Sequence, residues 1–147
     1  MTLLAFTESG LVFFNQDFTY LSIICAFISL FIGIILTQSG LDKIFNWEGE
    51  LNFMTEKFSK TILAPFTAFG LIQVTILETL SGVLSLLGSI MVLFFDNESY
   101  GVMGLILAAV SLTILMLGQR VSKDYDGSAA LVPYFLLTMI GLFMYSN

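Results

Sequence analysis

Residues 64–95 read APFTAFGLIQVTILETLSGVLSLLGSIMVLFF and carry one ionisable side chain, Glu78, near the middle. An apolar run of this length is typical of a membrane-spanning helix, which needs about 20 residues. A carboxylate at the centre of such a helix costs roughly 2.5–3.5 kcal/mol on insertion scales, so it requires either compensation or a proton. As a helix, residues 65–95 would be about 46 Å long. Because the hydrocarbon core is only about 30 Å thick, this helix is expected to tilt, project from the membrane or break near residues 88–89.

The rest of the chain has a similar composition. It is 57% hydrophobic and only 11% charged over 147 residues, whereas a soluble domain carries about 25% charged residues. Three further apolar runs occupy residues 21–39, 100–117 and 129–145. They lack the alternation of a membrane barrel, and helices satisfy their own backbone groups in lipid. The sequence therefore predicts an all-α membrane protein, a four-helix bundle formed by residues 21–147.

Composition also excludes several classes of function. The chain has no histidine and one cysteine, Cys25, so a dithiol relay is excluded, and a haem, iron–sulfur or zinc site built by this chain alone is not expected. Its net charge is −6 and its five basic residues form no dense cluster, so nucleic acid is not an expected partner. We expect membrane lipids as surroundings and no metal or cofactor held by this chain alone.

Two segments outside the spans are predicted to lie at the membrane surface. Residues 1–20 contain no basic residue, unlike a secretory signal, and Phe13, Phe14, Phe18 and Tyr20 are typical of an interfacial belt. This segment is either a surface-lying arm or a partner-binding arm. Residues 40–61 are amphipathic and either lie on the membrane surface or cover the bundle. Their apolar face comprises Ile44, Trp47, Leu51, Met54 and Phe58.

The basic residues predict the orientation of the chain. All five lie in residues 40–61 and 118–128, which four spans would place on the same side. The positive-inside rule puts these segments in the cytoplasm and both termini outside it.

Small and polar residues form one stripe around Glu78. Thr75, Ser81, Gly82, Ser85 and Ser89 recur with it at intervals of three or four residues. Small residues allow close helix packing in lipid, so we expect the stripe to face other helices. Ser81, Gly82, Ser85 and Gly88, with Gly40 on the first span, are the predicted packing residues.

Two interpretations of Glu78 remain open. It is either protonated and bonded to a neighbouring helix, which burial favours, or a functional group that accepts a proton or pairs with a cation such as Lys43. Gln73 lies somewhat off the stripe and is included with Glu78 and Lys43 as a candidate quinone or proton site. The alternative for Lys43 is that it only extends to the interface from the end of the first span. Arg120, Lys123, Asp124 and Asp126 are expected to form a solvated loop with local ion pairs.

Three motifs resemble the DoxX-like family of small membrane proteins. Ser39-Gly40-Leu41-Asp42-Lys43-Ile44 is similar to that family's Gly-x-x-Lys signature, and Glu78-x-x-x-Gly82 followed by Gly88 is similar to its Glu-x-x-x-Gly pattern. A third motif, Asp124-Tyr125-Asp126-Gly127-Ser128, resembles a stretch before the last span of many members. The resemblance covers residue 21 onward and marks Gly40, Lys43, Glu78 and Gly82, and more weakly Asp124 and Gly127.

The family resemblance implies a four-helix bundle and a role in a larger complex. Its founding member is the small membrane subunit of a thiosulfate:quinone oxidoreductase. We therefore expect an accessory subunit of a bacterial inner-membrane complex, with quinone-linked electron transfer as the main hypothesis and other integral membrane subunits as partners. One alternative is a structural subunit of a secretion or envelope complex. Another is a small transporter or lipid-binding protein.

Overall fold

The structure, a computed structural model, describes residues 4–13 and 16–147. Its helices are α1 (Tyr20–Phe45), α2 (Trp47–Phe58), α3 (Thr67–Phe94), α4 (Ser99–Val121), α5 (Tyr125–Ala130) and α6 (Val132–Tyr145). Four helical segments are long and apolar enough to cross a membrane: α1, α3 with its preceding 3₁₀ turn, α4, and α5 with α6. The predicted set of four membrane-length helices is confirmed.

Helix α1 is longer than the predicted span of residues 21–39. It continues through Gly40 to Phe45 before Asn46 ends it. Glycine and the charged residues beyond it are typical of a helix end, but here α1 continues because Gly40 packs against Thr79 of α3. Lys43 therefore belongs to a membrane-length helix, in its last turn, where a cation is also favoured by the helix dipole.

Helix α3 is continuous over its 28 residues. The alternative of a break near residues 88–89 is wrong, because Gly88 serves a packing contact within an uninterrupted helix. A helix of this length extends about 42 Å, so it must tilt or project in a bilayer. Its buried face carries the predicted stripe: Thr75, Glu78, Ser81, Gly82, Ser85 and Ser89.

Close glycine contacts hold α3 between α1 and α4. A Cβ added at Gly82 would collide with the backbone of Thr37 on α1, and one added at Gly88 would collide with the backbone of Gly101 on α4. Without a hydrophobic driving force between helices in lipid, such contacts provide the van der Waals packing that holds a bundle together. Gly40, Gly82, Gly88 and Ser85 all lie in these interfaces.

The last helix closes the bundle against α1 and α4. Tyr145 is buried, and its hydroxyl lies 2.8 Å from the hydroxyl of Ser29 on α1. The same tyrosine ring fills the space beside Gly101 on α4. Pro133 lies in the first turn of α6, just after Leu131 separates α5 from α6.

The segment before α1, predicted from its aromatic residues as an arm at the membrane surface, contains a small antiparallel sheet of order β1-β2-β3. Its strands are β1 (Leu4–Phe6), β2 (Gly10–Phe13) and β3 (Gln16–Thr19). Phe18 packs edge-on against Phe94 at the end of α3, with ring centroids 6.0 Å apart. This contact places the sheet beside the end of the bundle opposite α2. Phe14, assigned above to an aromatic belt, lies outside the described residues.

Residues 40–61, predicted as an amphipathic segment with one helical face, and residues 118–128, predicted as a charged loop, are both largely helical. In residues 40–61, α2 accounts for 47–58 and its half-buried face comprises Trp47, Leu51, Met54 and Phe58, whereas Ile44 belongs to α1. The predicted amphipathic stripe is therefore divided at Asn46. In residues 118–128, α4 runs on to Val121 and α5 starts at Tyr125.

Candidate functional site

A buried ion pair joins α1 to α3. The ammonium nitrogen of Lys43 lies 2.9 Å from Oε2 of Glu78, and their side chains are 11% and 1% exposed. Oε2 accepts no hydrogen bond from the described part of the chain, so its contact with Lys43 is ionic. The structure thus pairs Glu78 with the cation named as a candidate partner from the sequence.

Ser39 completes the cluster and was not predicted as a site residue. Lys43 donates to Ser39 Oγ at 2.8 Å, and Ser39 Oγ donates to Glu78 Oε1 at 3.1 Å. The ammonium, hydroxyl and carboxylate therefore form a continuous hydrogen-bonded chain. Ser39 and Lys43 are four residues apart on one helix, the spacing that places two side chains on the same face. This spacing is the sequence feature that could have identified Ser39 as a member of the cluster.

Backbone proximity explains why these residues meet. Gly40 lies directly after Ser39, and a Cβ added there would collide with Thr79, the residue after Glu78. Only a residue without a side chain lets the two helices approach this closely at the level of the ion pair. Gly40 is therefore a positioning residue for the cluster of Ser39, Lys43 and Glu78.

The location of the cluster determines its electrostatics. Glu78 is eleven residues into α3, about 16 Å along the helix from its start. The charges of Lys43 and Glu78, 2.9 Å apart, together leave the interior formally neutral. Their mutual attraction offsets part of the large cost of removing each charge from water. The hydrogen bonds of such a chain polarise and strengthen one another inside a protein.

Apolar surface adjoins the ion pair. A groove of about 330 Å³ is formed by the end of α1, the start of α2 and one face of α3. Neither Lys43 nor Glu78 lines it, but their chain neighbours Ile44 and Thr79 do. Thr75 and Thr79 flank Glu78 in sequence and line this groove. Both hydroxyls are already bonded to backbone carbonyls of their own helix. The other lining residues are Ile44, Trp47, Ile72, Ile76 and Leu80.

Gln73 is not part of this cluster. It is exposed on another face of α3 and lines a separate cavity between α2, α3 and α4, together with Gln119. Five residues separate Gln73 from Glu78, about 140° of rotation around a helix. The three-residue site predicted from the sequence is therefore divided by the structure.

A second ion pair connects α2 with the segment before α5. Lys57 lies 2.6 Å from Asp124, which also caps α5 by accepting from the backbone N–H of Gly127. Arg120 lies over the ring of Tyr125, 5.2 Å from its centroid. Asp124 was expected to form a local ion pair within its loop, but its partner is on a distant helix. A Cβ added at Gly127 would collide with the capping carboxylate of Asp124, which explains the glycine of the predicted motif.

The Lys57–Asp124 pair predicts a pH-dependent attachment of α2. The hydrogen bond from Lys57, with that from Gly127, lowers the pKa of Asp124 below its ordinary value. The pair therefore stabilises the fold fully above the ordinary Asp pKa of about 3.9 and loses this effect as the pH falls through the lowered value. We expect Asp124→Asn to lack this stabilisation at neutral pH, as the wild-type protein does when Asp124 is protonated.

Trp47 is the one tryptophan in the sequence and lies at the start of α2, so its fluorescence reports on this helix. The acid-induced change in Trp47 emission should be smaller in Asp124→Asn than in the wild type, while Asp126→Asn, whose carboxylate has no described ion-pair partner, should respond to acid like the wild type. Identical acid titrations of Asp124→Asn and the wild type would contradict the prediction.

Within residues 4–13 and 16–147, no group of three His, Cys, Asp or Glu side chains is arranged to hold a metal ion. No family model matches the chain, and neither the curated proteins nor the solved structures contain a significant match to it.

Proposed function

We propose that this protein is a small accessory subunit of a larger complex in the bacterial inner membrane, in which it contributes a proton-handling site to quinone-linked electron transfer. The observation that supports this most strongly is the hydrogen-bonded chain of Lys43, Ser39 and Glu78 inside a membrane-length bundle. Ionisable residues are rare at such positions and are commonly functional. The proposed DoxX-like relationship supports the same assignment.

In this proposal the groove beside the ion pair receives the quinone ring. Trp47 and the isoleucines of the groove provide apolar contact. Glu78 takes up one of the two protons that a quinol loses on two-electron oxidation, and the other proton goes to water. Electrons pass to a redox centre on a partner subunit. Lys43 stabilises the charged form of Glu78 before the proton arrives, and Ser39 connects the two groups.

A structural subunit is the second candidate, and the same ion pair favours it. Lys43 and Glu78 connect α1 to α3 beside the Gly40–Thr79 contact. A polar link between packed helices can specify which helices associate without any ligand chemistry. In that case the larger complex would be a secretion or envelope machine.

Affinity purification of the tagged protein in mild detergent distinguishes these functions. The proposal expects respiratory subunits and quinone in the purified complex. Glu78→Gln should then lower quinol-dependent turnover while the complex still assembles. Glu56→Gln is the matched control, because Glu56 is exposed on α2. Purification without quinone, or an assembly defect in Glu78→Gln, would support the structural function instead. A protein purified alone would favour the transporter hypothesis.

The proposed orientation has its own test. Residues 60 and 97 are both exposed and lie at opposite ends of α3, and Cys25, the native cysteine, is buried. In intact cells stripped of their outer membrane, Asn97→Cys should react with an impermeant thiol reagent, whereas Lys60→Cys should react only after lysis. The opposite labelling pattern would place the basic segments outside the cytoplasm.

A further inference from the structure

Two serine hydroxyls in the interior of the bundle have no hydrogen-bond partner in the described part of the chain: Ser81 Oγ on α3 and Ser111 Oγ on α4. Both residues are 0% exposed. Oε2 of Glu78 likewise accepts no hydrogen bond from the described residues. Buried polar atoms without a partner are uncommon in native proteins, so each of these three requires an explanation.

The packing of α3 against α4 places Ser111 at the level of Glu78. The two helices follow each other in the chain and run antiparallel, and a Cβ added at Gly104 of α4 would collide with the backbone of Ser85 on α3. A residue seven positions away lies on the same face of a helix, about 10.5 Å along its axis. Ser111 lies seven residues after Gly104, and Glu78 lies seven residues before Ser85. The two residues therefore oppose each other across the interface.

The same register continues beyond this level. Val74 and Leu115, which lie four residues further along their helices, line one cavity together. Ser111 is thus bracketed by contacts between α3 and α4 on both sides. Ser81 lies three residues after Glu78 on α3, a spacing at which two helical side chains are neighbours. One unpartnered hydroxyl therefore adjoins Glu78 from its own helix, and the other adjoins it from α4.

The charges around Glu78 come from α1 and α2. Lys43 of α1 is in direct contact with it, and Glu50 of α2 acts on it at longer range. Helix α4 has no ionisable side chain between residues 101 and 119. Within α4, all of which the structure describes, Ser111 is the one buried polar residue. Its contribution to Glu78 is therefore a hydrogen bond and not a charge.

A proton on Glu78 changes the hydrogen bonds that this carboxyl group requires. An ionised carboxylate only accepts hydrogen bonds, whereas a protonated carboxyl group also donates one. Lys43 cannot accept it, because an ammonium group has donors only. Ser39 already donates to Oε1 and accepts from Lys43. The hydroxyls of Ser81 and Ser111 are the unpartnered acceptors that adjoin Glu78 in the described part of the chain.

We propose that Ser81 and Ser111 are positioning residues that accept the hydrogen bond donated by Oε2 of protonated Glu78. This inference rests on the proposed proton uptake by Glu78, but not on the identity of the proton donor. When Glu78 is ionised, the two hydroxyls stay unpartnered. When Glu78 is protonated, its O–H turns from Lys43 toward them. Protonation thus shifts a polar contact from the α1–α3 interface to the α3–α4 interface.

Infrared spectroscopy of the purified full-length protein in detergent tests the proposal. A difference spectrum between acid and neutral solution contains the C=O stretching band of each carboxyl group that gains a proton. The band of Glu78 is the one that Glu78→Gln removes. Because a hydrogen bond donated by the carboxyl O–H lowers the frequency of this band, Ser81→Ala/Ser111→Ala should shift it to higher frequency.

Ser85→Ala is the matched control, because Ser85 Oγ is also buried without a partner but lies about two turns from Glu78. Its Glu78 band should match that of the wild type. An unshifted band in Ser81→Ala/Ser111→Ala would overturn the proposal. So would a band that shifts only in Ser39→Ala, since Ser39 would then be the acceptor.

Two further readouts keep the interpretation separate from folding and from the proposed function. At neutral pH the serine variants should unfold at or above the wild-type temperature, because they remove buried unpartnered hydroxyls. Absence of any Glu78 band in acid would overturn both this proposal and the proposed proton uptake. A band that shifts as expected, in a complex whose quinol-dependent turnover is unaffected by Glu78→Gln, would support the hydrogen bond and contradict only the proposed function.

Discussion

Lys43→Met is expected to destabilise the folded protein by roughly 3–5 kcal/mol, because it leaves Glu78 buried without its partner. Both charged side chains are almost fully enclosed, so solvent does not compensate for the loss. The measurement is the free energy of unfolding in mild detergent, followed by circular dichroism during titration with a denaturing detergent.

The double variant Lys43→Met/Glu78→Leu provides the control. Replacing both members of a buried ion pair with apolar residues is often neutral or stabilising, so this variant should regain most of the lost stability. In a quinone-linked complex it should also be inactive, which would separate stability from function. A Lys43→Met protein as stable as the wild type would show that the ion pair does not form.

Gly88→Leu is expected to have the second large effect. Its side chain would have to occupy the position of the Gly101 backbone, which cannot move aside as a flexible side chain can. Overpacking typically costs about 1–3 kcal/mol where side chains can adjust, and we expect a greater loss here. The thermal unfolding temperature in detergent should fall sharply.

Gly70→Leu is the matched control for Gly88→Leu, because both replace a glycine of α3 with leucine. Since Gly70 faces open space, its variant should unfold at or above the wild-type temperature. Equal stability of the two variants would indicate that α3 and α4 are not in close contact at Gly88.

The four long helices were predictable because hydropathy identifies apolar segments that are long enough to span a membrane. Glu78 was identifiable for the same reason, since an ionisable residue within an apolar run is costly. The end of α1 was not predictable, because residues 40–45 contain glycine and charges that normally end a span. Only the partner helix shows why they continue it: Thr79 packs on Gly40, and Glu78 neutralises Lys43.

Contacts between segments that are distant in the chain also could not be predicted from the sequence. Gln73 and Glu78 are close in the chain, but their side chains belong to different faces of α3 and to different surroundings. The Lys57–Asp124 pair joins residues 67 positions apart, and no local pattern specifies such a contact. In the N-terminal segment, aromatic residues favoured an interfacial arm. The pairing of its three short strands was not predicted from the sequence.

The Ser29–Tyr145 hydrogen bond has a consequence for biogenesis. Its two residues are 116 positions apart, so Ser29 is synthesised long before Tyr145. During that interval α1 can assemble with α3, and then with α4, while the hydroxyl of Ser29 does not yet have its hydrogen bond with Tyr145. Packing of α6 is therefore the step that completes the bundle, and a pause in translation before residue 145 would prolong the lifetime of an open three-helix intermediate.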